Sequence, residues 1–284
     1  MLIVGCGDVG TRVAAALMPR MRVMALTSSA DRVTALRMRG VLPLVGNLDR
    51  ASTLARLAGL AQRIVYLAPP PTEGWTDPRM QALLCALRKR SAPSQLVYGS
   101  TSGVYGDCQG AWVSETRASQ AATPRAHRRV DAEAQVRFFG RSAGVRAALL
   151  RIPGIYAADR EGGTPRERLK KGTPVLRAED DVYTNHIHSD DLARACVAAL
   201  WKGRPQRRYN ICDDSVLKMG DYFDLAADLY QLPRPPRVAR DSAQQQLPTM
   251  LLSFMSESRR LLNHRMKQEL GVRLRYPSVM DGLR

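Results

Sequence analysis

The sequence is short of several things, and each shortage excludes a class of protein. No stretch of it approaches the ~18–20 apolar residues of a membrane span, so no membrane partner is expected. Cysteine is sparse and unpaired in pattern. The five residues, Cys6, Cys85, Cys108, Cys196 and Cys212, are scattered, odd in number and lack metal-ligand spacing. That predicts buried reduced thiols, not a disulfide framework. Lysine is scarce too, at six of 43 basic residues, and aromatics make up only 6%. The net charge of +17 would attract anionic surfaces. Yet the arginines run along the whole chain with few aromatics among them, so no platform for stacking bases is visible. Nucleic acid is therefore not the expected partner. The first residues carry no basic flank and run at once into glycines, which reads as a soluble, cytoplasmic chain without a secretory signal.

What is present is an apolar fraction of 45% over 284 residues, enough for one large domain or two closely joined ones. Short apolar strands alternate with helical stretches. "MLIV", "RVMALT", "VLPLVG", "RIVYLAPP", "QLVYGSTSGVYG" and "VRAALLRIPGIY" read as strands. "DVGTRVAAALM", "SADRVTALRMRG", "RASTLARLAGL", "DPRMQALLCALRKR" and "TPRAHRRVDAEAQVRFFGR" read as helices between them. Asp77 and Thr123 are candidate N-caps, each followed by a proline at the first helical position. This alternation predicts an α/β fold: a Rossmann-type doubly wound parallel sheet covered on both faces. After Tyr156 the pattern loosens. "SDDLARACVAALWKG" reads as a helix capped by Ser189, and "RYNICDD" as a strand that rejoins the sheet. "ESRRLLNHRMKQELG" reads as a helix and "VRLRYP" as a short strand. The expected division is a dinucleotide-binding domain at 1–156, with 182–212 rejoining it. A smaller, partly interleaved C-terminal α/β lobe takes 157–181 and 213–284. The first strand is shorter than the ordinary ~5–6 residues, which leaves open whether the natural start lies upstream of Met1.

"GCGDVG" places Gly5, Gly7 and Gly10 in G-x-G-x-x-G spacing, with Asp8 and Val9 opening a helix directly after a strand. In that context Gly5 permits a tight turn, Gly7 lets the backbone approach a pyrophosphate, and Gly10 lets helix and strand pack closely. The helix N-terminus then offers free N–H groups to phosphate. About 20 residues on, an acidic residue would hold the ribose 2′-hydroxyl of NAD. Thr27, Ser28 and Ser29 occupy that place, with Arg32 one turn on. A carboxylate would repel a 2′-phosphate, whereas hydroxyls and a guanidinium would hold it. NADP is therefore expected, with NAD as the alternative and a simple Ser29 helix cap as the plain reading. Asn47 and Leu48 of "GNLD" fall where an adenine ring would lie. Ala68, Pro69 and Pro70 of "YLAPPP" would form a rigid wall beside the pyrophosphate, or else a simple proline turn.

"GCGDVG", "YLAPPP", "STSGVYG", "RIPGIY" and "NHIHSDDLA" together resemble the extended and atypical short-chain dehydrogenase/reductases. The nearest likeness is the bacterial nucleoside-diphosphate-sugar epimerase-like branch. "YNICDD", "LPRPPRV" and "SESRRLLNHRMKQELGV" extend the likeness over nearly the whole chain. The resemblance implies NAD(P) bound across the carboxyl edge of the sheet. It also implies a Ser or Thr orienting the substrate oxygen, and a Tyr-x-x-x-Lys pair in which Lys lowers the Tyr pKa. Thr101 matches the Ser/Thr position, and Pro153 would lie by the nicotinamide. Arg259 or Arg260 are the matching candidates for a substrate diphosphate, and a surface-helix homodimer is common among relatives.

The next helix lacks the Tyr and Lys. His127 and Asp131, four apart on one helix face, are the candidate acid/base dyad, since a carboxylate beside an imidazole favours imidazolium. The plain alternative is a lost catalytic pair with His127 facing solvent. His186, His188 and Asp190 alternate in a way that could ligate a metal, but no distant ligand completes the set and Ser189–Asp191 suit a helix start. No metal is expected. The residues thus point to an NADP-dependent oxidoreductase or epimerase acting on a small hydroxylated or sugar-like substrate. The alternative is a non-catalytic NADP-binding redox sensor or regulatory protein.

Overall fold

The computed structural model describes residues 1–284, apart from the side chains of residues 249, 250 and 254. Seven strands form one parallel sheet: β1 (Leu2–Val4), β2 (Met24–Thr27), β3 (Leu42–Val45), β4 (Arg63–Tyr66), β5 (Gln95–Thr101), β6 (Arg146–Ile152) and β7 (Arg207–Asn210). Their order is β3-β2-β1-β4-β5-β6-β7. The chain winds outward one way from β1 and then the other, so a crevice opens beyond the carboxyl ends of β1 and β4. The central strands are near-continuous apolar runs because helices cover both faces.

On one face lie α1 (Asp8–Leu17) and α5 (Ser189–Lys202), where Val9, Val13 and Leu17 share a core with Leu192, Cys196 and Ala199. The edge helix α2 (Asp31–Met38) adds Leu36 to that core. On the other face lie α3 (Pro78–Leu87) and α4 (Pro124–Ser142), joined through Met80, Leu83, Ala132, Val136 and Phe139. Both start where the local chemistry directs. The Asp77 carboxylate accepts the Met80 N–H at 3.0 Å, the Thr123 hydroxyl accepts the Ala126 N–H at 3.2 Å, and a proline follows each cap.

Several local expectations are corrected. The Ala51–Leu57 segment is a 3-10 helix. The cap of α5 is His188, whose Nδ1 accepts the Asp190 N–H at 3.2 Å, and Ser189 lies inside the helix. Within 257–271 only His264–Glu269 is α-helical. Arg260–Leu261 instead forms a strand parallel to Trp112–Val113, and the Asn185 side chain takes the Leu261 N–H at 2.8 Å. The 272–277 stretch forms no strand. The buried Asp191 carboxylate captures the N–H groups of Arg275 and Tyr276, which a strand would have used.

The chain after Tyr156 builds a second core around α6 (Met219–Tyr230), with Leu169, Val175, Leu176, Tyr222, Phe223 and Ala243. Strand His186–His188 pairs in parallel with Gly154–Tyr156, and β7 returns to the edge of the main sheet beside β6. These returns tie the second core to the main sheet through Gly154–Tyr156 and β7. Among the described residues no helix is long and apolar enough to cross a membrane.

Candidate functional site

The crevice is a cleft of about 650 Å³, within the size range of small-molecule and cofactor sites. Its floor is the glycine turn after β1. Gly5 has φ +92°, and a Cβ there would fall 2.2 Å from the Ala68 backbone nitrogen. At Gly10 it would lie 2.7 Å from the Gly5 carbonyl oxygen. These two glycines are required by close backbone approach. Gly7 differs: nothing lies within 4 Å of where its Cβ would be. It is also the N-cap of α1 and supplies no side-chain cap, so the first helical bond is Thr11 N–H to the Gly7 carbonyl at 2.9 Å. The amides of Asp8, Val9 and Gly10 precede that bond and are left for a ligand. An open concavity with free amides on one side fits a dinucleotide pyrophosphate. The Asp8 carboxylate would oppose it, but Arg12 holds that group at 3.2 Å while also binding Asp190 at 2.6 Å and Asp159 at 2.7 Å.

Beyond the turn, Thr27, Ser28, Ser29 and Arg32 line the cleft at the end of β2. The Thr27 hydroxyl accepts the Ser29 N–H at 3.3 Å, and the Arg32 guanidinium donates to the Cys6 carbonyl. The Ser28 and Ser29 hydroxyls bond to no described residue. Asn47 and Leu48 line the same end. Asn47 is shaped by its own loop: its Oδ1 accepts the Asp49 N–H at 2.9 Å, and its N–H meets the Thr53 hydroxyl at 2.9 Å. Asp49 and Arg79 join through two bonds of 2.6 and 2.7 Å, and Arg79 holds that carboxyl below the usual range. Ala68 and Pro69 line the cleft. Pro70 does not: it is buried behind the wall, its carbonyl turned to Arg79 at 3.4 Å.

At the far end stand Thr101, Pro153 and Ile155. The Thr101 hydroxyl accepts the Gly103 N–H at 3.2 Å and keeps its own proton to donate. The residues of α4 that reach this end are Arg125 and Arg129, not His127 and Asp131. Two residues along a helix is a turn of about 200°, so the two pairs face opposite ways. His127 meets the Trp75 ring edge-on at 5.0 Å, outside the cleft. The Asp131 carboxylate accepts from the Asp77 N–H at 2.7 Å and the Gln135 amide at 2.6 Å, tying α4 to the start of α3. That carboxylate is spent on structure, and the expected dyad does not form at the cleft.

Arg129 is buried, and its Nη1 donates to the carbonyls of Ala68 (3.3 Å) and Gly99 (3.1 Å) and to the Tyr98 hydroxyl (3.1 Å). Arg125 reaches the cleft with no hydrogen bond or ion pair to any described residue. Arg125 is exposed, and partial desolvation at the cleft together with the neighbouring charges of Arg129 and Arg128 pulls its pKa down from the usual value. Beneath the cleft, Ser100 donates to Glu133 at 2.7 Å, and Glu133 is gripped by Arg151 at 2.7 and 3.0 Å. Arg151 is therefore a buried structural ion, with its guanidinium 4.5 Å from the Tyr105 ring centre.

The other sequence candidates are engaged elsewhere. Arg259 binds the Gly106 carbonyl and Glu257, both at 2.7 Å. Arg260 binds the Gly110 carbonyl at 2.7 Å and lies over Trp112 and Tyr183. His186 stacks on Tyr222 at 4.3 Å, and full burial brings its pKa down to about 4. Asp190 is held by Arg12. Among the described residues no three His, Cys, Asp or Glu side chains are grouped to hold a metal. Sequence reasoning missed Arg79, Arg125, Arg129 and Arg160 as cleft residues. No sequence signal singled out the α4 pair: positions 125 and 129 share a helix face, but so do 127 and 131.

The fold and site have known counterparts. The model of the NAD dependent epimerase/dehydratase family matches residues 1–212. A conserved protein of unknown function from Silicibacter pomeroyi DSS is 32% identical, with a TM-score of 0.83 over 99% of this chain and 95% of its own. The UDP-glucose 4-epimerase of Thermotoga maritima, solved with UDP-glucose, shares the fold at 18% identity and a TM-score of 0.81, over 99% and 95% of the two chains. So does the UDP-glucuronic acid 4-epimerase of Bacillus cereus, solved with NAD, at 16% identity and 0.78, over the same shares. No curated protein matches the sequence. By the family model and by a 32% identical relative covered almost end to end, the chain belongs to the NAD dependent epimerase/dehydratase family.

Proposed function

We propose that the protein is an NADP(H)-dependent oxidoreductase that works in the reducing direction on a small carbonyl substrate. The cofactor reading draws on the amides of α1, the open space at Gly7, and the Ser28, Ser29 and Arg32 group where NAD-specific sites carry a carboxylate. The bound dinucleotide would supply the hydride.

One observation carries the chemistry. No Tyr, His, Lys or Glu lines the cleft among the described residues, and Arg125 and Arg129 face it instead. Oxidation, epimerisation and dehydration would each have to pass a proton to water, since no side chain at this end of the cleft takes one up. A supply of reduced nucleotide sets the direction of a hydride transfer that water serves both ways. A guanidinium stays protonated throughout. Asp8 and Asp49 are bound to Arg12 and Arg79 at the other end, and burial pushes the Cys6 thiol up. In reduction, as hydride arrives at the carbonyl carbon, its π electrons move to oxygen. Thr101 donates a hydrogen bond there, Arg125 and Arg129 stabilise the charge, and water delivers the proton. A non-catalytic NADP(H) sensor is the second reading. It draws on the same lack of a proton-exchanging side chain.

The test is a titration with NADPH and separately with NADH, followed by nicotinamide fluorescence, then reduced-nicotinamide absorbance with a panel of carbonyl compounds. Tight NADPH binding with turnover supports the reductase. Tight binding with no turnover on any carbonyl supports the sensor. Failure of both nucleotides to bind overturns both readings.

A further inference from the structure

The start of α4 is built against its own electrostatics. Arg125, Arg128 and Arg129 occupy its first two turns, where the helix dipole is positive, and the first turn holds no acidic residue. Arg128 is 6% and Arg129 8% exposed. Every acceptor they have is neutral: the Gly74 carbonyl for Arg128, and two carbonyls and a phenol for Arg129. Two buried guanidiniums and the exposed Arg125 thus stand at the positive end of a helix with no carboxylate hydrogen-bonded or ion-paired to them, although the buried Asp77 carboxyl feels the charge of Arg129.

Arg129 adds an independent observation. All three of its bonds leave from Nη1. Its Nε is buried with no acceptor, and its Nη2 bonds to no described residue. These two nitrogens form one edge of the guanidinium plane, the edge that matches a carboxylate through two parallel bonds. A buried donor left without an acceptor is costly, and Arg129 differs from a buried structural arginine in that it also lines the cleft, so a ligand there could supply the acceptor. Arg125, unpaired and lining the same cleft, supplies a second cation.

We infer that the far end of the cleft binds an oxyanion carried by the substrate, and that the substrate class is a small oxo acid with its carboxylate beside the reacting carbonyl. This deepens the reductase reading and rests on it. The pyrophosphate does not supply the charge, because its amides lie on α1 at the glycine turn. The carboxylate would occupy the free edge of Arg129, and the adjacent carbonyl oxygen would take the Thr101 hydrogen bond within the field of the same two cations.

The experiment is a titration of the NADPH-loaded protein with oxamate, a carboxylate that mimics an oxo acid, with inorganic phosphate, and with the neutral malonamide. Binding is read by calorimetry and by nicotinamide fluorescence. Oxamate is expected to bind at least tenfold more tightly than malonamide and phosphate, and its affinity is expected to fall as salt rises. Arg125→Gln is expected to weaken oxamate about tenfold or more, with NADPH affinity kept within about twofold, as for loss of a charge-assisted bond. Phosphate binding ahead of oxamate would overturn the carboxylate assignment. Equal binding of oxamate and malonamide, or oxamate affinity unmoved by Arg125→Gln, would overturn the site. NADPH binding without oxamate sinks this inference alone. If NADPH fails to bind, a thermal shift with oxamate on the free protein decides separately: a shift upholds the oxyanion site without the nucleotide reading, and no shift removes it too.

Discussion

Arg129 donates to the Tyr98 hydroxyl at 3.1 Å while its guanidinium lies 5.7 Å from the centre of the same ring. The phenol is fully buried, and that burial raises its pKa despite the cation. Tyr98 is thereby fixed as a support for Arg129 and removed from proton exchange. The neighbouring Tyr105 is withdrawn in the same way, its hydroxyl donating to Asn210 at 2.7 Å. Beside Thr101 the cleft is left with the α4 cations and Ser100, whose hydroxyl is given to Glu133.

Gly5 and Gly7 make opposite predictions within one motif. Gly5→Ala forces a side chain to φ +92° and 2.2 Å from backbone. Strain and overlap together should cost several kcal/mol, seen as a large loss of Tm or of soluble protein. Gly7→Ala meets nothing within 4 Å, so its Tm should match the parent while NADPH affinity falls at least tenfold. Parental NADPH binding by Gly7→Ala would refute a pyrophosphate at the α1 N-terminus.

Arg32 should decide cofactor choice. Arg32→Ala is expected to remove roughly 1.5–3 kcal/mol of charge-assisted bonding to a 2′-phosphate. NADPH would weaken by tenfold or more, and NADH would scarcely change. Parallel losses for both nucleotides would show that Arg32 acts through the glycine turn, whose Cys6 carbonyl it binds.

His127 and Asp131 should behave as structural residues. His127→Ala is expected to leave nucleotide affinity and any turnover unchanged, because the ring packs on Trp75. Asp131→Ala should lower stability by roughly 1–3 kcal/mol, since it strips the acceptor from the Asp77 N–H and the Gln135 amide. Turnover lost in His127→Ala with NADPH affinity intact would restore that histidine to catalysis.

Glu133 anchors a network that a single truncation should collapse. Its side chain is 4% exposed and holds Arg151, whose side chain is 0% exposed. Glu133→Ala leaves that cation buried without a partner, at roughly 3–5 kcal/mol. Denaturant unfolding should show the midpoint falling by that amount with an unchanged slope. A loss under about 1 kcal/mol would mean that water replaces the carboxylate.

Two buried groups act oppositely on the pH dependence of stability, and burial shifts His188 in the same direction as His186. Burial raises Asp213 to about 8 and lowers His186 to about 4. Between pH 4 and about 6.5 the folded protein keeps a proton on Asp213 that the unfolded chain has lost, while the unfolded chain protonates the histidine and the folded one does not. The two effects oppose each other there. From about 6.5 to 8 Asp213 lowers stability as pH rises, offset in part by the Met1 ammonium, whose pKa burial holds below its usual value, and the Asp213 effect levels above 8. Asp213→Asn should flatten the fall, as measured by Tm against pH. An unchanged slope would assign the dependence to other groups.

The alternation of strands and helices, the glycine turn and the α3 and α4 caps were legible in the sequence, because they rest on chemistry within a few residues. Gly5, Gly7, Gly10, Ser28, Arg32, Asn47, Leu48 and Pro69 reach one cleft because each follows a strand of one parallel sheet, and the carboxyl ends of such strands converge. Pro70 did not follow, since one residue further along a wall turns away from it.

Which face of α4 meets the cleft was decided only by tertiary structure. Sequence spacing shows that two residues share a helix face, but not where that face points. Packing of Ala132, Val136 and Phe139 against the sheet and α3 sets the rotation. It presents Arg125 and Arg129 to the cleft and turns Asp131 to α3. The charge of the site, and with it the chemistry open to this protein, follows from that rotation.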